Sequence, residues 1–122
     1  MSKRILIVDD SEMIRNYHAY ALKSAGFEVI SAVNGADALE LIYQHHIDLI
    51  ITDINMPIMD GYTFIENVRK EENYKTIPII IVSTEDEAGD KKRGFEAGAD
   101  LYIIKPVDPK NLVENVKLLL GE

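Results

Sequence analysis

Residues 5–10 read Ile5-Leu6-Ile7-Val8-Asp9-Asp10, an unbroken aliphatic run that ends in two acidic residues. Two further aliphatic runs are Leu49-Ile50-Ile51 and Ile79-Ile80-Ile81-Val82. Strands that are covered by helices on both faces have this continuous pattern, whereas half-exposed strands alternate between apolar and polar residues. The three runs therefore predict the central strands of a parallel sheet.

Amphipathic stretches separate the strands that the sequence predicts. We predict strands at Arg4–Val8, Glu28–Ala32, Asp48–Thr52, Ile79–Ser83 and Leu101–Ile104. Each strand is followed by residues with helical spacing: Ile14, Tyr17, Ala21, Leu22 and Ala25 before Gly26; Ala38, Leu41 and Ile42; Phe64, Ile65 and Val68; the weakly apolar segment Asp90–Ala97 before Gly98; and, after the N-cap signal Asp108-Pro109, Leu112, Val113, Val116 and Leu119 or Leu120. Strands and helices that alternate five times predict an α/β fold with an open, doubly wound parallel sheet.

The composition excludes several classes of protein. With 122 residues, of which 47% are hydrophobic and 28% charged, the chain suits a single globular domain over residues 1–122. Its longest apolar runs are too short to cross a bilayer, it has no Cys, and Met1-Ser2-Lys3-Arg4 lacks the pattern of a signal peptide. We therefore expect a cytoplasmic protein that does not associate with membranes.

The net charge of −8 argues against a nucleic-acid partner, because such a partner requires a basic surface. The densest basic cluster is Lys91-Lys92-Arg93, and it follows several acidic residues. We interpret this cluster as the exposed face of a helix. No nucleic-acid binding is expected.

Polar residues that can do chemistry stand where the predicted strands end. They are Asp9-Asp10 after the first strand, Asp53 after the third, Ser83-Thr84 at the fourth and Lys105-Pro106 after the fifth. A single Asp after a strand is typical of a turn or a helix cap, and we interpret Asp60 in that way. However, ligands of open α/β sheets bind beyond the carboxyl ends of the strands. Taken together, the strand-end residues predict one site.

Three carboxylates at one site require either partial protonation or a compensating cation, of which a divalent ion is the simpler solution. Two carboxylates about 4 Å apart repel each other by roughly 4 kcal/mol at an effective dielectric constant near 20. Mg²⁺ suits such a site, since it binds one or two carboxylates together with water and phosphate oxygens. With Lys105 and a hydroxyl nearby, the site has the groups needed to hold a phosphoryl group while a carboxylate attacks it.

Four segments of this chain together resemble the receiver domain of two-component response regulators. They are Ile7-Val8-Asp9-Asp10, Thr52-Asp53-Ile54-Asn55-Met56-Pro57 with Asp60-Gly61, Val82-Ser83-Thr84-Glu85, and Gly98-Ala99-Asp100-Leu101-Tyr102-Ile103-Ile104-Lys105-Pro106. The resemblance covers the whole chain, whose length is similar to that of stand-alone, chemotaxis-type receivers. It implies a flavodoxin-like (βα)5 sheet with strand order 2-1-3-4-5. It also implies a monomer that can dimerise on activation, without an output domain.

The resemblance also implies a role for each site residue. Asp53 would accept the phosphoryl group, and Lys105 would pair with the phosphoryl oxygens. Asp10, Asp53 and the backbone carbonyl of Asn55 would bind Mg²⁺ directly, with Asp9 acting mainly through water. Ser83, which Thr84 follows, would bind the phosphoryl group and move towards it, and Tyr102 would swing inward behind it. The Lys105-Pro106 bond would be cis.

The resemblance implies a signalling protein that catalyses only its own phosphorylation and dephosphorylation. A phospho-His of a sensor kinase or of a phosphotransfer protein would donate the phosphoryl group, and an unidentified protein would recognise the result. The recognised face would combine the fourth helix, the fifth strand and the fifth helix, and would include Lys91, Lys92, Tyr102 and Val107.

Two residues depart from the commonest pattern of the family. Thr84 stands where many receivers have Ala or Gly, which implies narrower access to the phosphoryl group. Val107 stands where motor-binding chemotaxis receivers often have Phe, which argues against binding to a flagellar motor. The three histidines, His18, His45 and His46, are interpreted as surface or half-buried residues rather than metal ligands.

Three other functions remain open at this point. A phosphatase of the haloacid dehalogenase type also uses an Asp nucleophile with Mg²⁺, but it needs a second Asp where this chain has Asn55. A flavodoxin-like flavin carrier needs a loop of free amides after the first strand, where this chain has Asp9-Asp10-Ser11-Glu12. The third alternative is a degenerate receiver that acts only as a protein-interaction module.

Overall fold

The computed structural model describes residues 2–122, in which five strands and five helices alternate. The strands are β1 (Arg4–Val8), β2 (Glu28–Ala32), β3 (Leu49–Thr52), β4 (Ile79–Ser83) and β5 (Leu101–Ile104). The helices are α1 (Glu12–Ser24), α2 (Gly35–Gln44), α3 (Gly61–Lys70), α4 (Ala88–Ala97) and α5 (Pro109–Leu120). The predicted order of elements is confirmed.

All strand pairs are parallel, and the strand order is β2-β1-β3-β4-β5. The predicted flavodoxin-like topology is therefore confirmed. Strand β3 begins at Leu49 rather than at the predicted Asp48, whose carboxylate instead accepts a hydrogen bond from the backbone of Arg4 at 2.8 Å. Helix α4 begins at Ala88, two residues before the predicted Asp90.

The sheet separates two apolar layers, as the continuous apolar strands predicted. On one face, Leu6, Ile50 and Ile81 pack against side chains of α2 and α3, among them Ile42 and Phe64. On the other face, residues of β1, β3 and β4 pack against α1 and α5 through Leu22, Leu112 and Val116. Helix α1, which follows β1, and helix α3, which follows β3, lie on opposite faces of the sheet. The chain connections therefore diverge at the carboxyl ends of these two neighbouring strands.

Two residues of α1 lie differently from what the sequence predicted. Tyr17, assigned to the apolar stripe, is 47% exposed, whereas His18 is only 3% exposed. The buried face of the helix is defined by His18 and Leu22, one helical turn apart. The predicted surface or half-buried position of His18 is therefore wrong, while His45 and His46 are exposed as predicted.

Val107 also lies differently from the prediction. We expected it on the face formed by α4, β5 and α5, but it is buried in the layer beneath α5. The cis Lys105-Pro106 bond that precedes it is confirmed. Of the residues expected on this face, Lys92 is exposed and Lys91 and Tyr102 are half-buried.

Local capping explains where the helices begin. Ser11 and Asp60 cap α1 and α3 with side-chain hydrogen bonds to the backbone of Ile14 and Thr63. The assignment of Asp60 to a helix cap is confirmed. Asp108 is the N-cap of α5, as predicted, but its side chain makes no cap hydrogen bond.

No helix within residues 2–122 has the length and apolar character needed to cross a membrane.

Candidate functional site

The carboxyl ends of the parallel strands bring the predicted site residues together. Asp9 follows β1, Asp53 follows β3 and Lys105 follows β5, while Ser83 is the last residue of β4. Asp9 and Ser83 are buried, and Asp53 is half-buried. The site thus has a closed floor and an open side, which Asp10 lines as an exposed residue.

Lys105 joins two of the acidic residues. Its ammonium nitrogen lies 2.7 Å from Oδ2 of Asp9 and 3.0 Å from Oδ2 of Asp53. Burial would lower the pKa of Lys105, but the hydrogen bonds and charges of Asp9 and Asp53 outweigh burial, and the pKa is raised above its ordinary value. Lys105 is therefore a permanent cation at the site in the neutral pH range.

The acidic cluster has the composition of a divalent-metal site. Carboxylate oxygens of Asp9, Asp10 and Asp53 all lie within 4.8 Å of one another. Within residues 2–122, the Asp10 carboxylate has neither a hydrogen bond nor an ion pair, so it is available as a ligand. Three carboxylates and one ammonium leave a net charge of −2, which a single Mg²⁺ would balance. The donor set therefore fits the predicted metal.

The loop after Asp53 is held in a constrained conformation. The backbone amide of Ile54 donates to Oδ1 of Asp53 at 2.7 Å, which fixes the orientation of that carboxylate. A Cβ atom on Gly61 would lie 2.1 Å from the backbone oxygen of Asp53, so only glycine fits there. Ile58 has a φ of 70°, which is strained for a β-branched residue, and its side chain is exposed.

The hydroxyls of Ser83 and Tyr102 both bond to the backbone of Glu85, in the loop between β4 and α4. Ser83 Oγ accepts a hydrogen bond from the amide of Glu85 at 3.2 Å. The Tyr102 hydroxyl donates to the carbonyl of Glu85 at 2.6 Å. Burial, helped by neighbouring Tyr62, raises the pKa of Tyr102 to about 12. Its ring packs against Gly94 of α4, where a Cβ atom would come within 3.2 Å of it.

The remaining predicted residues, Thr84 and Asn55, lie at the rim of the site. Both are exposed. The side-chain amide of Asn55 donates to Oε1 of Glu85 at 2.8 Å. Thr84 makes no side-chain hydrogen bond within the described part of the chain.

Sequence reasoning did not assign a role to two residues that contact the site. Glu85 belongs to the quoted segment Val82-Ser83-Thr84-Glu85, but its contacts depend on three separate elements that only the fold brings together. Arg15 donates from its guanidinium to the carbonyl of Asp9 at 2.8 Å, across the first turn of α1. The available signal was its position six residues after Asp9, because α1 begins just after the Asp9-Asp10 pair and its first turn therefore lies close to the site.

A five-stranded parallel sheet with an acidic, lysine-bridged site at its switch point defines a receiver-type α/β domain. Residues 5–117 match the family model of the response regulator receiver domain. The chain belongs to this family.

Three similar proteins illustrate the relationship. A probable transcriptional regulator, ycf27 of Cyanidium caldarium, is 41% identical over 95% of this chain and 45% of its own length. The chemotaxis response regulator CheY4 of Vibrio cholerae has a structure similar to this chain, with a TM-score of 0.93 and 36% identity over 98% of this chain and all of that one. The receiver domain of the sensor histidine kinase PA1611 of Pseudomonas aeruginosa matches with a TM-score of 0.92 and 26% identity over the full length of both chains, and its structure has a magnesium ion coordinated in the active-site cleft.

The chain spans about half the length of the curated relatives it matches. Several of these relatives are named as transcriptional regulators. The expected absence of a nucleic-acid partner therefore stays a prediction, as does the expected single domain without an output domain.

Proposed function

We propose that this chain accepts a phosphoryl group on Asp53 in a Mg²⁺-dependent reaction and signals through the resulting change of conformation. The observation that carries the proposal is the pairing of the Lys105 ammonium with Asp53 at 3.0 Å, beside two further carboxylates. An aspartate in this setting has a cation on one side and candidate metal ligands on the other. That arrangement suits a carboxylate nucleophile.

The proposed reaction is a transfer from the imidazole of a phospho-His. A carboxylate oxygen of Asp53 forms a bond to phosphorus while the bond from phosphorus to the imidazole nitrogen breaks, and the imidazole leaves with that electron pair. Asp10, Asp53 and the carbonyl of Asn55 would hold Mg²⁺, which neutralises charge on the phosphoryl oxygens when bound. Lys105 would transfer its contact from Asp53 to a phosphoryl oxygen, and the Ser83 hydroxyl would donate to another.

The proposed partners follow from this chemistry. The donor is a sensor histidine kinase or a phosphotransfer protein, and the receiver of the signal is a protein that binds the face formed by α4, β5 and α5. Catalysis is limited to the chain's own phosphorylation and dephosphorylation. We also propose that the protein acts in the cytoplasm, as a monomer that can dimerise on activation.

A degenerate receiver, which would act only by binding proteins, is the alternative. Such a protein would lack a phosphoacceptor or its cation, whereas here Asp53 and Lys105 are both present and in contact. This contact favours signalling through phosphorylation of Asp53 over signalling through protein binding alone.

Phosphorylation in solution tests the proposal. The protein is incubated with a phosphorylated histidine kinase, or with acetyl phosphate as a small donor, and intact mass is measured with Mg²⁺ and with EDTA. We expect a single phosphoryl group in Mg²⁺, loss of the group at alkaline pH, and no label on Asp53→Ala. If Asp53→Ala were labelled with the same yield as wild type, the acceptor would be another residue. If neither donor labelled wild type, the result would favour a protein that acts only as an interaction module.

A further inference from the structure

Glu85 connects three parts of the site that are distant in sequence. Its carboxylate accepts from the side-chain amide of Asn55 at 2.8 Å. Its backbone amide donates to Ser83 Oγ at 3.2 Å, and its backbone carbonyl accepts from the Tyr102 hydroxyl at 2.6 Å. One residue therefore contacts the loop after the phosphoacceptor, the hydroxyl of β4 and the aromatic ring of β5.

We propose that Glu85 is a positioning residue that couples the Mg²⁺-binding loop to Tyr102, so that metal binding and the position of the Tyr102 ring depend on each other before any phosphorylation. This inference rests on the proposed function, because it takes the backbone carbonyl of Asn55 to be a metal ligand.

The first half of the coupling lies in the contact between Asn55 and Glu85. Because a carboxylate can only accept hydrogen bonds, Glu85 fixes which side of the Asn55 amide faces it. The backbone carbonyl of Asn55 belongs to the same exposed residue, so anchoring the side chain restricts the conformations of the ligand carbonyl. A restricted ligand loses less conformational entropy when Mg²⁺ binds.

The second half of the coupling lies in the backbone of Glu85. When Mg²⁺ fixes the loop of Asn55, the Glu85 carboxylate is held by a less mobile partner. The Glu85 carbonyl, to which Tyr102 is bonded, then has fewer conformations too. Equilibria that are linked in this way are reciprocal. If Mg²⁺ shifts the equilibrium between positions of the Tyr102 ring by some factor, a change in the position of the ring must alter Mg²⁺ affinity by the same factor.

Titration of the unphosphorylated protein with MgCl2 tests the coupling, with NMR signals of the site and of Tyr102 as separate readouts. Glu85→Ala and Asn55→Ala should each weaken Mg²⁺ binding about three- to tenfold, as expected for the net loss of one solvent-exposed hydrogen bond. The double variant should be no weaker than the single ones, because both remove the same contact. Mg²⁺ should shift the Tyr102 signals of wild type but not those of Glu85→Ala.

Two further variants separate positioning from simple charge. Glu85→Gln retains an acceptor oxygen without the charge and should keep most of the Mg²⁺ affinity. Glu87→Ala removes an exposed carboxylate from the same loop, and should leave both the affinity and the Tyr102 response unchanged. Equal losses in Glu85→Ala, Glu85→Gln and Glu87→Ala would reduce the effect to electrostatics and overturn the coupling.

The outcomes also distinguish the coupling from the proposed function. If wild type binds no Mg²⁺ at millimolar concentration, the metal site itself is wrong and the coupling fails with it. If wild type and Glu85→Ala bind Mg²⁺ equally well and both transmit the signal to Tyr102, only the coupling is wrong.

Discussion

The ammonium of Lys105 lies 3.0 Å from Oδ2 of Asp53, although 52 positions separate the two residues in sequence. The same ammonium lies 2.7 Å from Oδ2 of Asp9. Lys105 therefore connects the ends of three strands, β1, β3 and β5. It neutralises part of an acidic cluster that would otherwise oppose folding.

Replacement of Lys105 separates its role in stability from its role in chemistry. Lys105→Met keeps most of the side-chain length but leaves Asp9 and Asp53 without their cation, so we expect a loss of about 2–4 kcal/mol in the free energy of unfolding in EDTA. Mg²⁺ should restore more stability to this variant than to wild type, because the removed ammonium no longer repels the metal. Urea unfolding with and without Mg²⁺ measures both effects, and an equal Mg²⁺ response in the two proteins would contradict the second.

Asp10 provides the test of the metal site. Its carboxylate has no hydrogen bond or ion pair within residues 2–122 and lies within 4.8 Å of the Asp9 and Asp53 carboxylates, so its replacement by Asn should stabilise the metal-free protein by relieving charge repulsion. Mg²⁺ at ten times its Kd should stabilise wild type by about 1.4 kcal/mol, from the linkage relation. We expect Asp10→Asn to lose most of this effect in thermal unfolding, whereas the exposed and more distant Asp37→Asn should retain it.

The fold and the main site residues were predictable because both depend on short patterns. Continuous aliphatic runs such as Ile79–Val82 specify strands buried on both faces, and the residue after each strand then lies at a known edge. Burial on α1 was harder to predict, because Tyr17 and His18 are adjacent and hydrophobicity alone favoured the tyrosine. Glu85 was missed since its three hydrogen bonds involve residues 30, 2 and 17 positions away.

Gly61 and Gly89 form a matched pair for testing the packing around Asp53. A Cβ atom on Gly61 would lie 2.1 Å from the Asp53 carbonyl oxygen, whereas nothing lies within 4 Å of one on Gly89. Gly61→Ala should cost about 1–3 kcal/mol of stability, as overpacking does, and should slow phosphorylation because the backbone of Asp53 must move. Gly89→Ala should stabilise α4 by about 0.5–1 kcal/mol without slowing phosphorylation. Similar effects of both changes would show that the close contact is unimportant.

His18 should make stability depend on pH. Burial, followed by the charge of Lys105, lowers the pKa of His18 below its ordinary value of 6.5, while Asp9 opposes the change. The unfolded chain therefore takes up a proton near pH 6.5 at which the folded chain does not. Stability is fully present above that pH and falls as the pH decreases towards the lowered folded value.

Unfolding by urea at pH 7.5, 6.5 and 5.5 measures this dependence. His18→Leu should flatten the slope in that range, whereas His45→Gln, at an exposed position, should leave it as in wild type. An unchanged slope in His18→Leu would assign the pH dependence to other groups.

We expect phosphorylation at the site to change the face formed by α4, β5 and α5. A phosphoryl group on Asp53 would add close to two negative charges and three acceptor oxygens near Lys105 and Ser83. Ser83 is fully buried, and its hydroxyl accepts a hydrogen bond from the Glu85 amide, while the Glu85 carbonyl accepts one from Tyr102. Movement of the Ser83 hydroxyl towards the phosphoryl group should therefore displace both Glu85 and Tyr102. Ligand-induced change of this kind requires a contact that differs between the two states, and the Ser83 hydroxyl provides it.

We therefore expect phosphorylation, or beryllofluoride as its mimic, to shift NMR amide signals over residues 83–92 and 101–107. Ser83→Ala should still accept the phosphoryl group on Asp53, but its shifts beyond the site should be much smaller. Thr84→Ala is the matched control, because Thr84 is exposed and its side chain makes no hydrogen bond within the described residues; this variant should respond as wild type does or accept small donors faster. A full response of Ser83→Ala across α4 and β5 would mean that the signal reaches Tyr102 without the Ser83 hydroxyl.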